Sequence, residues 1–156
     1  MTFDDDVRDL YQEVILDHGR KPRHGHRLAA YDVTAKGDNP MCGDRVEVFV
    51  KLADDGTIAE TGFEARGCAI SVASADLMAE TVQGRGKADT RALFETFREL
   101  VRTGHCPEHD RALDESLERL APLAGVHEYP SRVKCATLPW HALVAALDGT
   151  REASSE

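Results

Sequence analysis

One short loop of the chain crowds a thiol, a carboxylate and turn-forming residues together: positions 39–44 are Asn-Pro-Met-Cys-Gly-Asp. Pro40 fixes its own φ and Gly43 permits backbone angles that a side chain would forbid, so we expect a tight loop. Cys42 and Asp44 are two residues apart and can turn toward one point, where a thiolate and a carboxylate suit a borderline cation. A surface turn that carries an ordinary cysteine remains the alternative.

A second cysteine lies where a predicted strand gives way to a predicted helix. After Gly67 and Cys68 comes a run of small residues and helix formers that ends at Gly84. A cysteine in the first turn of a helix meets unpaired backbone N–H groups and the positive end of the dipole, which favour its thiolate. The alternative is a small buried cysteine that fills a gap between sheet and helix.

A third cysteine, Cys135, precedes the last predicted helix. Pro139 lacks the N–H that would bond to the carbonyl of Cys135, so we expect the helix to begin late or to bend there. Cys135 would then lie near a helix start. Arg132 and Lys134 place positive charge beside the thiol and are expected to lower its pKa further or to balance a thiolate-rich site. The alternative is that both are exposed surface charges.

Cys106 and His109 form a competing pair, because they are three residues apart in a loop and could hold a metal. No obvious further pair completes such a site. We therefore rank this pair below the other three cysteines and expect Cys106 to be a bystander or buried.

The surrounding pattern predicts an α+β fold. An N-terminal helix with one apolar face should stop near His18-Gly19, and three strands with short connections predict a small antiparallel sheet. The Cys42 loop lies between the first two strands, and Asp54-Asp55-Gly56 predicts the second hairpin. Further helices follow as packing elements, one of them capped by Thr90. The predicted ranges outside the first helix are 31–35, 45–51 and 58–65 for strands, and 68–84, 90–101 and 113–120 for helices. A last helix follows, with Leu143, Val144 and Leu147 on its apolar side.

The composition suits one globular domain, assigned to residues 1–149, with a disordered polar tail at 150–156. The chain has 156 residues, 42% of them hydrophobic, and a net charge of −9. Such an acidic balance disfavours nucleic acid and anionic membranes as partners.

No apolar run is long enough to span a bilayer and the N-terminus is acidic, so we expect a cytoplasmic protein whose cysteines are free, metal-bound or reactive. The basic run 18–27 could dock an acidic partner or could be a solvated loop.

Four segments in order resemble the motifs of the SufU family, which belongs to the wider group of iron–sulfur assembly proteins that includes IscU and NifU. The resemblance covers nearly the whole chain, from the first helix to Trp140. The four segments are 11–18 (YQEVILDH), 39–44 (NPMCGD), 67–71 (GCAIS) and 132–136 (RVKCA).

This resemblance implies a small antiparallel sheet packed against several helices, as in SufE-, NifU- and IscU-like proteins. It implies Zn²⁺ held by the positions matching Cys42, Asp44, Cys68 and Cys135. It also implies sulfurtransferase activity: the position matching Cys42 accepts persulfide sulfur from a SufS-type cysteine desulfurase and serves downstream iron–sulfur assembly proteins. We add the hypothesis that Arg132 stabilises the departing thiolate or the docked complex.

Two features favour the SufU type over the IscU type. Proteins of the IscU type carry a histidine immediately before the last cysteine, where this chain has Lys134, and a shorter connection than the one at 89–123. A scaffold that assembles an iron–sulfur cluster on the same thiolates remains the alternative function. A purely structural zinc domain is the third possibility.

Overall fold

The computed structural model describes residues 3–40 and 43–154, and the side chains of residues 11–40 and 43–153. Within these ranges the chain is a helical layer packed on one sheet, which confirms the predicted α+β class. The elements in chain order are α1 (Phe3–Arg20), β1 (Val33–Asn39), β2 (Asp44–Leu52), β3 (Ile58–Arg66), α2 (Ala69–Thr81), α3 (Lys87–Thr103), a 3₁₀ turn (Arg111–Leu113), α4 (Asp114–Leu120), a 3₁₀ segment (Ala121–Glu128), α5 (Pro130–Leu147) and β4 (Glu152–Ser154).

The sheet has the strand order β3-β2-β1-β4. The pairs β1–β2 and β2–β3 are antiparallel, as the hairpin signals predict. The fourth strand is a correction to the predicted disordered tail, because Glu152–Ser154 pair in parallel with Lys36–Asp38. The last turn of α5 carries the chain back to the open edge of β1, where unpaired backbone groups accept even a polar segment.

One face of the sheet packs against α5. Val46, Val48 and Val50 alternate along β2 and are buried, as their spacing predicts. At Gly37 the strand comes so close to α5 that an added Cβ would lie 3.1 Å from a methyl carbon of Leu138.

The other face is not simply solvated. Phe49 is fully buried on it, beneath the ring of Tyr31 and the guanidinium of Arg27. The segment after α1 also crosses this face at Gly62, where an added Cβ would lie 2.4 Å from the carbonyl oxygen of His26. The basic run is therefore partly folded onto the sheet.

The last helix differs from the prediction, since α5 starts at Pro130 and runs through Pro139. Proline inside a helix costs about 3 kcal/mol, but Leu138, Trp140 and Leu143 beside it are fully buried. This packing offsets the cost of the missing hydrogen bond.

The start of α3 also differs from the prediction. This helix begins at Lys87, after Gly86, so Thr90 is a buried residue inside the helix rather than its cap.

Among the described residues, no helix is both long enough and apolar enough to cross a bilayer.

Candidate metal centre

Asp44 is the first residue of β2 and lies at the end of the β1–β2 hairpin, opposite Asn39. The backbone N–H of Gly43 donates to the carbonyl of Asn39 at 2.9 Å and closes the turn, with φ of +74° at Gly43. Asp44 is buried, with 1% of its surface exposed. The predicted ligand and nucleophile Cys42 lies outside the described residues, so its position stays a prediction.

Cys68 immediately precedes α2, as predicted, in extended conformation at the N-cap position. Its backbone N–H donates to Oδ1 of Asp44 at 3.0 Å, and its Sγ lies 3.9 Å from Oδ2 of the same carboxylate. Asp44 thus takes the place of a side-chain cap for this helix. This contact joins the hairpin to the start of α2.

Gly67 makes this contact possible. Its φ of +150° is rarely adopted by residues with a side chain, and an added Cβ would lie only 2.1 Å from Oδ1 of Asp44. Sequence reasoning singled out the cysteine but missed the glycine before it. The Gly-Cys order at a strand-to-helix junction was the available signal.

Cys135 lies in the second turn of α5 and is fully buried. Its Sγ lies 3.7 Å from the carbonyl oxygen of Ser131, one turn earlier in the helix. A hydrogen bond from the hydroxyl of Ser74 to the carbonyl of Ala136, 2.5 Å long, joins α2 to α5 beside it. This hydrogen bond therefore connects the helix that follows Cys68 to the helix that contains Cys135.

The structure brings three of the four predicted ligands together. Asp44, Cys68 and Cys135 each offer one ligand atom, and these atoms lie within 4.8 Å of one another. The set comes from three separate elements, and two of its members are buried. Two thiols and a carboxylate are donors that suit a divalent ion of the zinc class.

The predicted lowering of the Cys135 pKa is wrong for the metal-free chain. Burial, the hydrogen bond to Asp44 and the proximity of Cys68 raise the pKa of Cys135 far above its usual range. Because Cys135 lies five residues into α5, it is beyond the first turn where the dipole would help. Its thiolate form therefore needs a cation to compensate for the burial.

Arg132 supplies positive charge at this point. Hydrogen bonding to Cys135, followed by attraction to Cys68 and Cys135, raises the pKa of Arg132. Its side chain is exposed and also lines an apolar cleft of about 690 Å³ beside α1. Leu16 and Tyr129 contribute to the same cleft and are 36% and 61% exposed. The thiol cluster is thus bordered by a cation and by an open apolar surface.

The competing pair at Cys106 does not join this cluster. The Sγ of Cys106 lies 3.5 Å from Nδ1 of His109, but that nitrogen also lies 2.8 Å from the carbonyl oxygen of Pro107. Nε2 of the same ring is 2.6 Å from Asp114. Both ring nitrogens already have oxygen partners, which raise the pKa of His109 and leave neither lone pair for a metal.

Together, the sheet-and-helix fold and the thiol–carboxylate cluster define a small α+β domain with a candidate metal site. The model of the NifU-like N-terminal domain family matches residues 10–136. The chain belongs to this family, which confirms the resemblance that the four motifs predict.

Two curated relatives cover most of the chain. It is 36% identical over 144 residues, 92% of each chain, to the zinc-dependent sulfurtransferase SufU of Bacillus subtilis. It is 35% identical over 141 residues to the iron–sulfur cluster assembly scaffold protein IscU of Streptococcus pyogenes, covering 90% of this chain and 84% of that one.

A solved structure has the same fold. It is that of a protein from Fervidobacterium islandicum, described as a proposed iron–sulfur cluster assembly scaffold for the SUF system. The two chains superpose with a TM-score of 0.77 at 30% identity, over 90% of this chain and 98% of that one.

Proposed function

We propose that this protein is a zinc-dependent sulfur carrier in iron–sulfur cluster assembly. It would accept persulfide sulfur from a SufS-type cysteine desulfurase, with Cys42 as the acceptor. The observation that carries the proposal is that the ligand atoms of Asp44, Cys68 and Cys135 lie within 4.8 Å of one another. Of these three residues, Asp44 is two residues along the chain from Cys42. The similarity to the Bacillus subtilis sulfurtransferase supports it.

The residues fit a zinc ion. Asp44, Cys68 and Cys135 supply three ligands, and Cys42 would complete a tetrahedral set because two residues of chain span at most about 7 Å. Bound zinc supplies a redox-inert charge that keeps thiols deprotonated without oxidising them. The raised pKa of Cys135 identifies a thiol that needs such a charge.

The transfer step needs no outside oxidant. The Cys42 thiolate attacks the terminal sulfur of the desulfurase persulfide, so that a new S–S bond forms on Cys42. The persulfide S–S bond breaks at the same time, and the desulfurase cysteine leaves as a thiolate. Contacts of the β1–β2 hairpin with α2 and of α2 with α5 hold Asp44, Cys68 and Cys135 in place, so these three residues would keep the ion while Cys42 reacts.

The test is alanine release by a SufS-type desulfurase supplied with cysteine and a mild reductant. We expect the wild type to accelerate release and to gain a persulfide at Cys42, measured by mass spectrometry. Folded Cys42→Ser should do neither. Cys106→Ser is the matched control, because Cys106 is exposed and lies outside the cluster; it should behave as wild type. No acceleration by any form would overturn the proposal.

Arg132 has a positioning role in this proposal, because its guanidinium faces both thiols. We expect Arg132→Ala to reduce the rate of persulfide transfer by roughly tenfold, the effect of losing about 1.4 kcal/mol of charge stabilisation. Lys134→Ala is the matched control: it removes the same charge two positions along α5, about 200° around the helix. An unchanged rate in Arg132→Ala would remove this role.

A scaffold for cluster assembly is the second candidate function, favoured by the similarity to the Streptococcus pyogenes scaffold protein. The same thiolates would then bind iron. Anaerobic purification followed by measurement of iron and acid-labile sulfide distinguishes the two. Stoichiometric iron and sulfide on the wild type, lost in Cys68→Ser, would favour the scaffold.

A further inference from the structure

A second group of metal-ligating side chains lies between the end of α1 and the later turns of α2. Nδ1 of His18 is hydrogen-bonded to Oδ2 of Asp76, and the backbone N–H of His24 donates to Oδ1 of the same carboxylate at 2.8 Å. The side chain of Asp76 is fully buried and that of His18 is 14% exposed. The carboxylate is therefore fixed in orientation by two elements.

Glu80 lies one helical turn beyond Asp76 and so faces the same side of α2. His18, Asp76 and Glu80 each offer one ligand atom, and these atoms lie within 4.8 Å of one another. Nε2 of His24 is 3.7 Å from Oε1 of Glu80, and these two side chains are 29% and 28% exposed. The group is thus closed beneath by Asp76 and open to solvent at His24 and Glu80.

The donor set suits a divalent ion. Ligand bonds of about 2.1 Å place two ligands of one ion at most about 4.2 Å apart, so the widest separation in the group needs to contract by about half an ångström. The hydrogen-bonded atoms of His18 and Asp76 have to move apart to admit the ion. The carboxylates of Asp76 and Glu80 supply negative charge, which a divalent cation would neutralise. Arg23 lies within electrostatic range of Asp76 and Glu80 but is held by Asp17, 2.5 Å away.

A cavity of about 250 Å³ adjoins the open side of the group. His24 and Thr61 both line it. Thr61 is 2% exposed, and its hydroxyl has no hydrogen-bond partner among the described residues. A buried hydroxyl without a partner is costly, so an oxygen ligand or a hydrated ion beside it would be favourable.

We propose that His18, Asp76 and Glu80 form a second cation site that binds a divalent first-row transition metal, and that the ring of His24, 3.7 Å from Glu80, moves toward the ion to complete it. The two imidazoles favour ions such as Fe²⁺, Co²⁺ and Zn²⁺ over Mg²⁺ and Ca²⁺, which prefer oxygen ligands alone. The bound cation would take the place of the hydrogen bond that joins His18 to Asp76.

This site is separate from the thiol cluster. Cys68 lies at the start of α2, and eight residues of helix separate it from Asp76, a rise of about 12 Å. The two sites therefore share a helix but share none of their ligands.

The experiment is a titration of the full-length chain with Co²⁺ after one equivalent of Zn²⁺ has been bound, followed by calorimetry and visible absorption. We expect one further equivalent of Co²⁺ to bind without a sulfur-to-cobalt charge-transfer band. Glu80→Gln and His24→Gln should each weaken binding at least roughly tenfold. Both side chains are partly exposed, so the variants should remain folded.

Glu60→Gln is the matched control, because Glu60 lines the adjoining cavity but is outside the ligand group. It should bind Co²⁺ as the wild type does. The proposal is overturned if the wild type binds no further Co²⁺, or if the new ion gives a sulfur-to-cobalt band. It is also overturned if Glu80→Gln binds as tightly as Glu60→Gln, in which case His18 and Asp76 form only a structural ion pair.

Discussion

Gly67 shows how strictly the centre depends on single residues. Its absent side chain lets Asp44 reach the backbone N–H of Cys68. Asp44 is in turn the only member of the described cluster that is not a thiol. The geometry of all three ligands therefore depends on the space above one glycine Cα.

We predict that Gly67→Ala displaces Asp44 and weakens zinc binding at least roughly tenfold, because the new methyl group would lie 2.1 Å from Oδ1. The backbone strain should also cost about 1–3 kcal/mol of unfolding free energy. Zinc content after dialysis and urea unfolding provide the two readouts.

Gly56→Ala is the control for backbone strain alone. Gly56 has φ of +87°, and an added Cβ there would meet nothing within 4 Å. It should lose stability but retain zinc. Equal zinc content in the two variants would contradict the role assigned to Gly67.

The candidate metal centre also depends on the packing of α2 against α5. Among the described residues, one side-chain hydrogen bond joins these helices: it runs from the hydroxyl of Ser74 to the carbonyl of Ala136, next to Cys135. Since Cys68 and Cys135 are on different helices, this buried bond fixes the relation of the two thiols.

We predict that Ser74→Ala lowers the unfolding free energy by about 0.5–1.5 kcal/mol, because it removes this buried hydrogen bond to the carbonyl of Ala136. Ser71→Ala is the matched control. Ser71 is equally buried on the same helix, but its hydroxyl has no hydrogen-bond partner among the described residues. Replacing Ser71 should leave the unfolding free energy unchanged or raise it slightly. If urea unfolding gave equal losses of free energy for the two variants, the stabilising role of the Ser74 hydrogen bond would be contradicted.

Local signals explain which elements sequence reasoning predicted well. The β1–β2–β3 meander follows from alternating valines and the Asp-Gly turn, and the start of α2 follows from Gly67-Cys68. Long-range packing explains the rest. Nothing near Pro139 indicates that a buried Trp140 keeps α5 continuous, and nothing within 150–156 indicates pairing with β1.

The same limit applies to the sites. The types and contexts of Asp44, Cys68 and Cys135 identify them as candidate ligands, but the raised pKa of Cys135 depends on neighbours 67 and 91 residues away. The His18–Asp76 contact joins residues that are 58 positions apart. The sequence signal for it was an aspartate within a predicted helix of small residues.

At the scale of the whole molecule, His141 makes stability depend on pH. It is half-buried on α5 and its ring meets that of Phe94 edge-on at 5.0 Å. Burial, and then the charge of Arg98, lower the pKa of His141 below its ordinary value of 6.5. The unfolded chain therefore takes up a proton at a pH where the folded chain does not.

Because the pKa is lower in the folded chain, the stability contributed by neutral His141 is present above pH 6.5 and is lost as the pH falls below that value. His141→Phe keeps the aromatic contact and should flatten the fall in melting temperature between pH 7 and pH 5. His105→Phe, at an exposed position, should leave the wild-type dependence. A steeper fall in His141→Phe would contradict the assignment.

The proposed zinc ion links the centre to the stability of the whole domain, because its ligands come from the β1–β2 hairpin, α2 and α5. Free zinc at one hundred times its dissociation constant should stabilise the folded chain by about 2.7 kcal/mol. For a chain of this length that corresponds to about 5–10 °C in melting temperature. A chelator should remove the gain, and Cys68→Ser should greatly reduce it.

Cys42→Ser then separates a carrier from a purely structural zinc domain. In a carrier, Asp44, Cys68 and Cys135 retain the ion after the substitution, so most of the zinc-dependent gain in melting temperature should survive while persulfide transfer is lost. In a structural zinc domain Cys42 is one ligand among four, and its loss should reduce the gain as much as Cys68→Ser does. Equal melting curves for these two variants, with and without zinc, would therefore contradict the assignment of Cys42 as the exchangeable, sulfur-accepting ligand.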